Sequence, residues 1–231
     1  MTTATLSPLE QARFNMIEQQ IRPWNVLDTR ILQLLGELKR EDFVPSGHKS
    51  LAFGDFELPL TAAGAAKGEA MLSPKVEARM VQDLQLTDSD SVLEIGTGTG
   101  YTAALMGRLS RHVSTLEINP ELADMAKQNL SRAVVANVDV RVADGSKIAQ
   151  IETHTSGQFD VIVLSGSVAS IPEVLKTKLK VGGRLAAIVG NEPIMRFTLI
   201  TRTADGFVTA QPWDAVAPRL AGFAEDAKFS F

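Results

Sequence analysis

The sequence predicts an α/β fold: a doubly wound, mostly parallel sheet with an antiparallel C-terminal hairpin and an N-terminal helical extension. Three observations carry this. From Ser91 onward, short β-branched runs alternate with helix-length segments, the rhythm of a parallel sheet covered on both faces. A glycine-rich turn, Gly96-Thr97-Gly98-Thr99-Gly100, joins the first of these strands to a helix. Near the end, Asp205-Gly206 separates two apolar runs, 196–202 and 207–212, which is a hairpin signal.

The elements follow in order. Ser7-Pro8-Leu9-Glu10 is a capping box with Pro at the first helical position. Its helix is expected to run to about Gln20, with Leu9, Ala12, Met16 and Ile17 on one side, until Pro23 breaks it. Asp28 can cap a second helix whose apolar stripe is Ile31, Leu32, Leu34, Leu35 and Leu38. Residues 46–68 read as irregular, with the small-residue run 61–66 as an exposed loop. Ser73-Pro74 opens a third helix to about Leu84. Strands are then expected at 92–95, 113–117, 138–142, 159–164 and 184–189, with helices at 101–109, 120–133 and 172–179. Residues 1–231 read as a single domain, with 1–88 as the extension that covers the active site and 89–231 as the core.

Composition narrows the function. The 231 residues are 45% apolar and 22% charged, the balance of a globular chain with ample core. Lys+Arg 23 against Asp+Glu 27 leaves a net charge of −4, without the broad positive field of nonspecific nucleic-acid binding. The chain has no Cys, which excludes disulfides, Cys–zinc sites and thiol nucleophiles. The three His (His48, His112, His154) are scattered, so no metal site is expected. No signal-peptide pattern opens the chain, and no apolar run approaches the roughly 18–20 residues of a membrane helix. A cytoplasmic protein with neither membrane nor nucleic-acid partners is expected.

The chemistry gathers at strand ends. Glycines in the first turn remove Cβ atoms, so a ligand can lie directly on the backbone. The spacing is G-x-G-x-G, not the G-x-G-x-x-G of dinucleotide folds. Glu94, two residues before Gly96, sits poorly beside a pyrophosphate but suits a ligand ammonium group. Glu117 ends the second strand, ahead of Ile118, where a carboxylate can accept both hydroxyls of a ribose. Asp144-Gly145 ends the third strand, where an adenine edge would lie. A ribose, an adenine and a cationic amino-acid end without phosphate describe S-adenosyl-L-methionine rather than NAD. The cofactor-binding candidates are therefore Glu94, Gly96, Thr97, Gly98, Thr99, Gly100, Glu117, Ile118, Asp144 and Gly145. Plainer readings exist: a tight strand–helix turn, a solvated strand end, and Asp144 as a turn cap.

The sequence resembles the protein-L-isoaspartate O-methyltransferases over nearly its whole length. Residues 92–101, Val-Leu-Glu-Ile-Gly-Thr-Gly-Thr-Gly-Tyr, are similar to that family's S-adenosylmethionine loop. Arg111-His112-Val113, Phe159-Asp160-Val161-Ile162, Ile171-Pro172 and Gly182-Gly183-Arg184-Leu185 fit its core. Gln20-Ile21-Arg22, Arg40-Glu41-Asp42-Phe43-Val44-Pro45 and Leu58-Pro59-Leu60 fit its N-terminal part, which narrows the likeness from class I methyltransferases to this family. The resemblance implies a Rossmann-like methyltransferase fold and S-adenosyl-L-homocysteine as product. It also implies esterification of the α-carboxylate of L-isoaspartyl residues in proteins or peptides, a first step of protein repair.

One segment departs from the family. The family carries Q-T-I-S-x-P before the third helix, with a hydroxyl beside the methyl donor and the acceptor carboxylate. Here residues 68–74 read Gly-Glu-Ala-Met-Leu-Ser-Pro: Ala70 and Leu72 take the hydroxyl positions and Ser73 falls one residue late. Leu72 and Ser73 thus mark the catalytic position, altered, although Ser73 reads first as a helix N-cap. The family's F-V-P-L pattern reads Val216-Ala217-Pro218-Arg219-Leu220. Ser165 and Gly166, after the fourth strand, are expected on the acceptor side. A carboxylate acceptor is already ionised at pH 7 and needs no general base. A lost orienting hydroxyl then costs roughly 1–3 kcal/mol and slows the reaction without forbidding it. A methyltransferase with a different acceptor, or a non-catalytic S-adenosylmethionine-binding protein, are the alternatives. The oligomeric state is not legible.

Overall fold

The computed structural model describes residues 6–60, 69–151 and 157–224. The run 61–66 and His154 lie outside them. Helix α1 (Pro8–Met16) starts on the expected capping box: Ser7 N donates to Glu10 Oε2 (2.8 Å) and Glu10 N to Ser7 Oγ (3.3 Å). A wider π turn (Ile17–Ile21) and a 3₁₀ turn (Arg22–Trp24) carry the chain on to Asn25. Leu9 is 51% exposed, so the expected stripe is wrong at its first position. The inward side is Arg13, Met16, Ile17 and Ile21, because Arg13 is neutralised by a buried pair with Glu41. Helix α2 (Thr29–Glu37) is capped by Asp28 and buries Ile31, Leu32, Leu34 and Leu35. The segment read as irregular holds a 3₁₀ turn (Ser46–Leu51) and strand β1 (Leu58–Pro59), which pairs antiparallel with β2 (Ala70–Met71). Helix α3 (Pro74–Asp83) follows.

The main sheet is built from β3 (Ser91–Ile95), β4 (His112–Glu117), β5 (Val138–Val142), β6 (Phe159–Val168), β7 (Leu179–Asn191), β8 (Ile194–Arg202) and β9 (Phe207–Asp214). Helices α4 (Tyr101–Gly107), α5 (Pro120–Arg132) and α6 (Glu173–Thr177) make the crossovers. Strand order is β5-β4-β3-β6-β7-β8-β9, parallel through β7 and antiparallel at β8 and β9. The expected hairpin is present, and β7 and β8 form a second one. Every residue of β3 is buried, and its side chains alternate between two apolar layers. Val92 joins Val113, Val161 and the N-terminal helices, while Leu93 and Ile95 join Leu116, Ile162 and Leu164 on the other face. The chain runs outward from β3 to β5, then returns to β6 on the other side of β3. That reversal opens a crevice at the carboxyl ends of β3 and β6.

Two boundaries differ from expectation. Helix α6 stops at Thr177, because Leu179 already pairs with Phe159 as the start of β7. Strand β6 does not end at Leu164: a register shift between Val163 and Ser167 precedes renewed pairing of Ser167 with Ile188 and Val168 with Val189. Ser165 and Gly166 therefore sit within this irregularity of β6, not after it. Among the described residues, no helix is long and apolar enough to cross a membrane, and no group of His, Asp or Glu could hold a metal ion.

Candidate active site

The crevice holds a cavity of about 220 Å³. Its walls come from the glycine loop (Gly96, Gly98), the tips of β4 (Glu117, Ile118) and β5 (Ala143, Gly145), and the segments around Ala70 and Leu220. The loop turns tightly, Gly100 N donating to Thr97 O (2.9 Å), with φ of +92° at Gly96 and +84° at Gly100. These are left-handed conformations that only glycine adopts cheaply. A Cβ on Gly100 would also lie 3.2 Å from Ala126 Cβ, so the bare backbone lets α4 pack against α5.

Two carboxyls dominate the site. Glu94 is fully buried; Thr115 Oγ1 and Ser165 Oγ each donate to it at 2.6 Å. Burial raises its pKa to about 7, against the pull of these two hydrogen bonds. Thr97 Oγ1 extends the chain, 2.6 Å from Thr115 Oγ1. Glu117 Oε2 accepts from Gly98 N (2.8 Å) and Oε1 from Asn119 N (3.0 Å), which ties the β4 tip to the loop. Burial also lifts the Glu117 carboxyl above its ordinary range, with Glu69 adding repulsion. Glu69 lines the same cavity and accepts from Asn119 Nδ2 (3.3 Å).

The structure thus gathers Gly96, Gly98, Glu117, Ile118 and Gly145 around one crevice, with Glu94 buried behind the wall and reaching it through Ser165. Asp144 is placed otherwise. Its Oδ1 accepts from Ser146 Oγ (2.6 Å) and Ser146 N (3.1 Å), and its Oδ2 pairs with Lys147 (2.9 Å). The Ser146 hydroxyl, above all, holds this carboxyl below its usual range. Asp144 therefore holds the turn that presents its neighbours Ala143 and Gly145 to the cavity. Thr99 and Tyr101 are buried behind the loop; the Tyr101 ring meets Phe43 edge-on at 5.3 Å.

Ser165, expected on the acceptor side, lines the crevice. The Ser165 hydroxyl is committed to Glu94. Gly166 is covered, since Leu220 Cδ2 would lie 2.8 Å from a Cβ there. Leu72 is buried beside Thr97, Gly98 and Ser165, around a small recess that also touches Ala70. Ser73 has N-cap backbone angles, but its side chain makes no capping hydrogen bond.

Sequence reasoning missed the support beneath Leu72. Arg40 is 1% exposed; its Nη2 donates to Leu72 O (2.7 Å), Nη1 to Ala52 O (2.8 Å) and Nε to Glu77 Oε2 (3.1 Å). Burial raises Glu77, opposed by the Arg40 charge. A larger cavity of about 460 Å³ lies away from the crevice, near the ends of α2, α4 and α5. One of its cations satisfies a helix terminus, Arg108 Nη2 donating to Ala133 O (2.9 Å), which is the placement the helix dipole favours.

A seven-stranded sheet of this order, with a glycine loop and acidic strand tips at its switch point, is the architecture of class I methyltransferases. A Plasmodium falciparum structure described as a protein-L-isoaspartate O-methyltransferase in complex with S-adenosyl-L-homocysteine matches with TM-score 0.75 and 18% identity. That match covers 93% of this chain and 99% of the other. The chain belongs to the protein-L-isoaspartate(D-aspartate) O-methyltransferase family, whose model matches residues 11–217. A protein-L-isoaspartate O-methyltransferase of Rhodopseudomonas palustris is 38% identical over 175 residues, 76% of each chain. One of a Bradyrhizobium species is 34% identical over 222 residues, 95% of this chain and 98% of the relative.

Proposed function

We propose that this protein transfers the methyl group of S-adenosyl-L-methionine to the α-carboxylate of L-isoaspartyl residues in proteins or peptides. The observation that carries the reading is the pair of buried carboxyls, Glu94 and Glu117, beside a glycine-rich loop whose Gly98 amide donates to Glu117, within a family of this activity. The cavity fits an adenosyl group: Ile95, Leu116, Ile118 and Leu122 supply apolar wall, and a side chain at Gly145 would collide with Ile95. When bound, the donor supplies an electrophilic sulfonium methyl.

The remaining work belongs to the chain. Glu117 accepts the ribose hydroxyls, and Glu94, held by Thr115 and Ser165, neutralises the ammonium end. Ala143 and Gly145 flank the base, with Asp144 shaping their turn. Ala70, Leu72 and Leu220 exclude water from the acceptor side. An acceptor oxygen takes the methyl as the carbon–sulfur pair stays on sulfur. No proton moves, so no base is required. Protein rather than nucleic-acid substrates, a preference supported by the net charge of −4, and a cytoplasmic location complete this reading.

A different acceptor is the second reading, favoured by the absence of hydroxyls at Ala70 and Leu72. The test is methyl transfer to a synthetic isoaspartyl peptide, alongside calorimetry with S-adenosyl-L-homocysteine. Turnover of the isoaspartyl but not the aspartyl peptide supports the first reading. Tight nucleoside binding without peptide turnover supports the second. No nucleoside binding removes both.

A further inference from the structure

The C-terminal segment forms part of the cavity in a way the glycine loop alone does not explain. Ser167 N donates to Pro218 O (2.7 Å) and Leu220 N to Ser167 O (2.9 Å), so Arg219 is held in a parallel bridge beside Ser167 of β6. Leu220 then lies over Gly96, where Cδ2 would be 2.7 Å from a Cβ. The Arg219 side chain is drawn toward the end of β7: its Nη2 donates to Gly190 O (3.0 Å) and Asn191 Oδ1 (2.6 Å). The guanidinium is thereby held at the end of β7, and Arg219 lines the β6–β7 side of the crevice, across the sheet order from the acidic tip of β4.

Charge makes this placement informative. The cavity wall carries Glu69 and Glu117, with Glu94 behind Ser165. Among the described residues, Arg219 is the one cation that lines it. A second carboxylate entering this wall as methyl acceptor meets, among the described residues, repulsion from Glu69 and Glu117 and attraction from Arg219. On its side of the pocket Ala70 and Leu220 offer no hydroxyl, and the Ser165 hydroxyl is committed to Glu94.

We propose that Arg219 is the specificity-determining residue for the acceptor, its guanidinium pairing with the carboxylate that receives the methyl group. This rests on the carboxylate-methylating reading above. An arginine suits the task because its planar fork matches a carboxylate, and its always-charged group never competes as a nucleophile for the methyl.

The test compares Arg219→Gln, which keeps hydrogen-bond donors for Asn191 but loses the charge, with Arg219→Lys, which keeps the charge. Three quantities are read: KM for an isoaspartyl peptide, Kd of that peptide for the protein saturated with S-adenosyl-L-homocysteine, and Kd of the nucleoside itself. Arg219→Gln should raise KM and peptide Kd by about 10- to 100-fold, the usual weight of a charge-assisted pair. Arg219→Lys should recover at least half of that loss on a logarithmic scale, with nucleoside affinity within twofold of wild type in both. Equal effects of Gln and Lys, or a matching loss of nucleoside affinity, would mean that Arg219 only anchors the segment, and would overturn the proposal. Wild-type peptide affinity in Arg219→Gln would overturn it alone, leaving the methyltransferase reading intact. A wild-type protein that binds the nucleoside but neither binds nor methylates the peptide would sink both.

Discussion

Acidifying the solution should weaken nucleoside binding through one carboxyl. Glu94 has no exposed surface, and burial holds its pKa near 7 although two hydroxyls donate to it. Only the ionised form can neutralise the ammonium of S-adenosyl-L-homocysteine, which stays protonated throughout this range. The apparent Kd then scales as one plus the ratio of neutral to ionised Glu94, and from pH 7.5 to 5.5 it should rise about 25-fold. Calorimetry in two buffers of different ionisation enthalpy should detect up to one proton released per ligand bound at pH 5.5. Glu94→Gln should bind weakly with little pH dependence. The ligand-free protein should respond in the opposite sense. Since the folded pKa lies above the ordinary 4.5, this group's stabilisation is complete below pH 4.5 and lost as pH rises through 7. The shift corresponds to about 3 kcal/mol. Thermal unfolding should show stability from this group declining from pH 5 to 8, with saturating nucleoside restoring it at pH 8. A wild-type Kd constant within twofold from pH 5.5 to 7.5 would refute the reasoning. So would a Glu94→Gln variant that keeps the wild-type slope, which would move the titration to Glu117, the other carboxyl raised by burial.

Three further outcomes are expected. Glu117→Ala should raise the calorimetric Kd of S-adenosyl-L-homocysteine by about 10- to 100-fold, through lost ribose contacts and a loosened Gly98 amide; unchanged affinity would contradict the ribose role. Leu72→Ser should raise kcat on an isoaspartyl peptide several-fold, by up to about a factor of ten, by returning an orienting hydroxyl to the recess; no gain would favour a different acceptor. Arg40→Met should destabilise the fold by roughly 3–5 kcal/mol in urea unfolding, because it strands the buried Glu77 carboxylate; Arg40→Met with Glu77→Met should recover much of that.

The sheet and the donor loop were legible because their signals are local. Strands β3, β4 and β5 announce themselves by short β-branched runs, and the loop by glycines at fixed spacing. What was illegible depends on distant partners. Arg13 and Glu41 are separated by 28 positions and Arg40 and Glu77 by 37, so nothing in either neighbourhood marks these charges as buried. Strand β6 outran its apolar pattern because backbone pairing with β7 resumes beyond the register shift, where side-chain polarity is uninformative. Asp144 carried two local readings, strand-tip ligand and turn cap; hydrogen bonds from Ser146 give its carboxylate the second task. Arg219 enters the sequence reading only within the loose match of Val216-Ala217-Pro218-Arg219-Leu220 to the family's F-V-P-L; its place in the cavity wall depends on the bridge to Ser167.

The altered acceptor side is less damaging than the loss of two hydroxyls suggests, because of what the reaction does to charge. An anionic oxygen and a cationic sulfonium combine into a neutral ester and a neutral thioether, so charge disappears along the reaction coordinate. Such a step is faster in a dry, weakly polar setting, provided the anion can be brought in. Ala70, Leu72 and Leu220 supply the dry wall. The remaining difficulty is admitting a carboxylate to a pocket already lined with them, and a hydroxyl would relieve it only weakly. A guanidinium at position 219 addresses that electrostatic problem directly. Losing hydroxyls at 70 and 72 while presenting an arginine at 219 is therefore a consistent exchange: orientation by a neutral hydrogen bond gives way to orientation by charge.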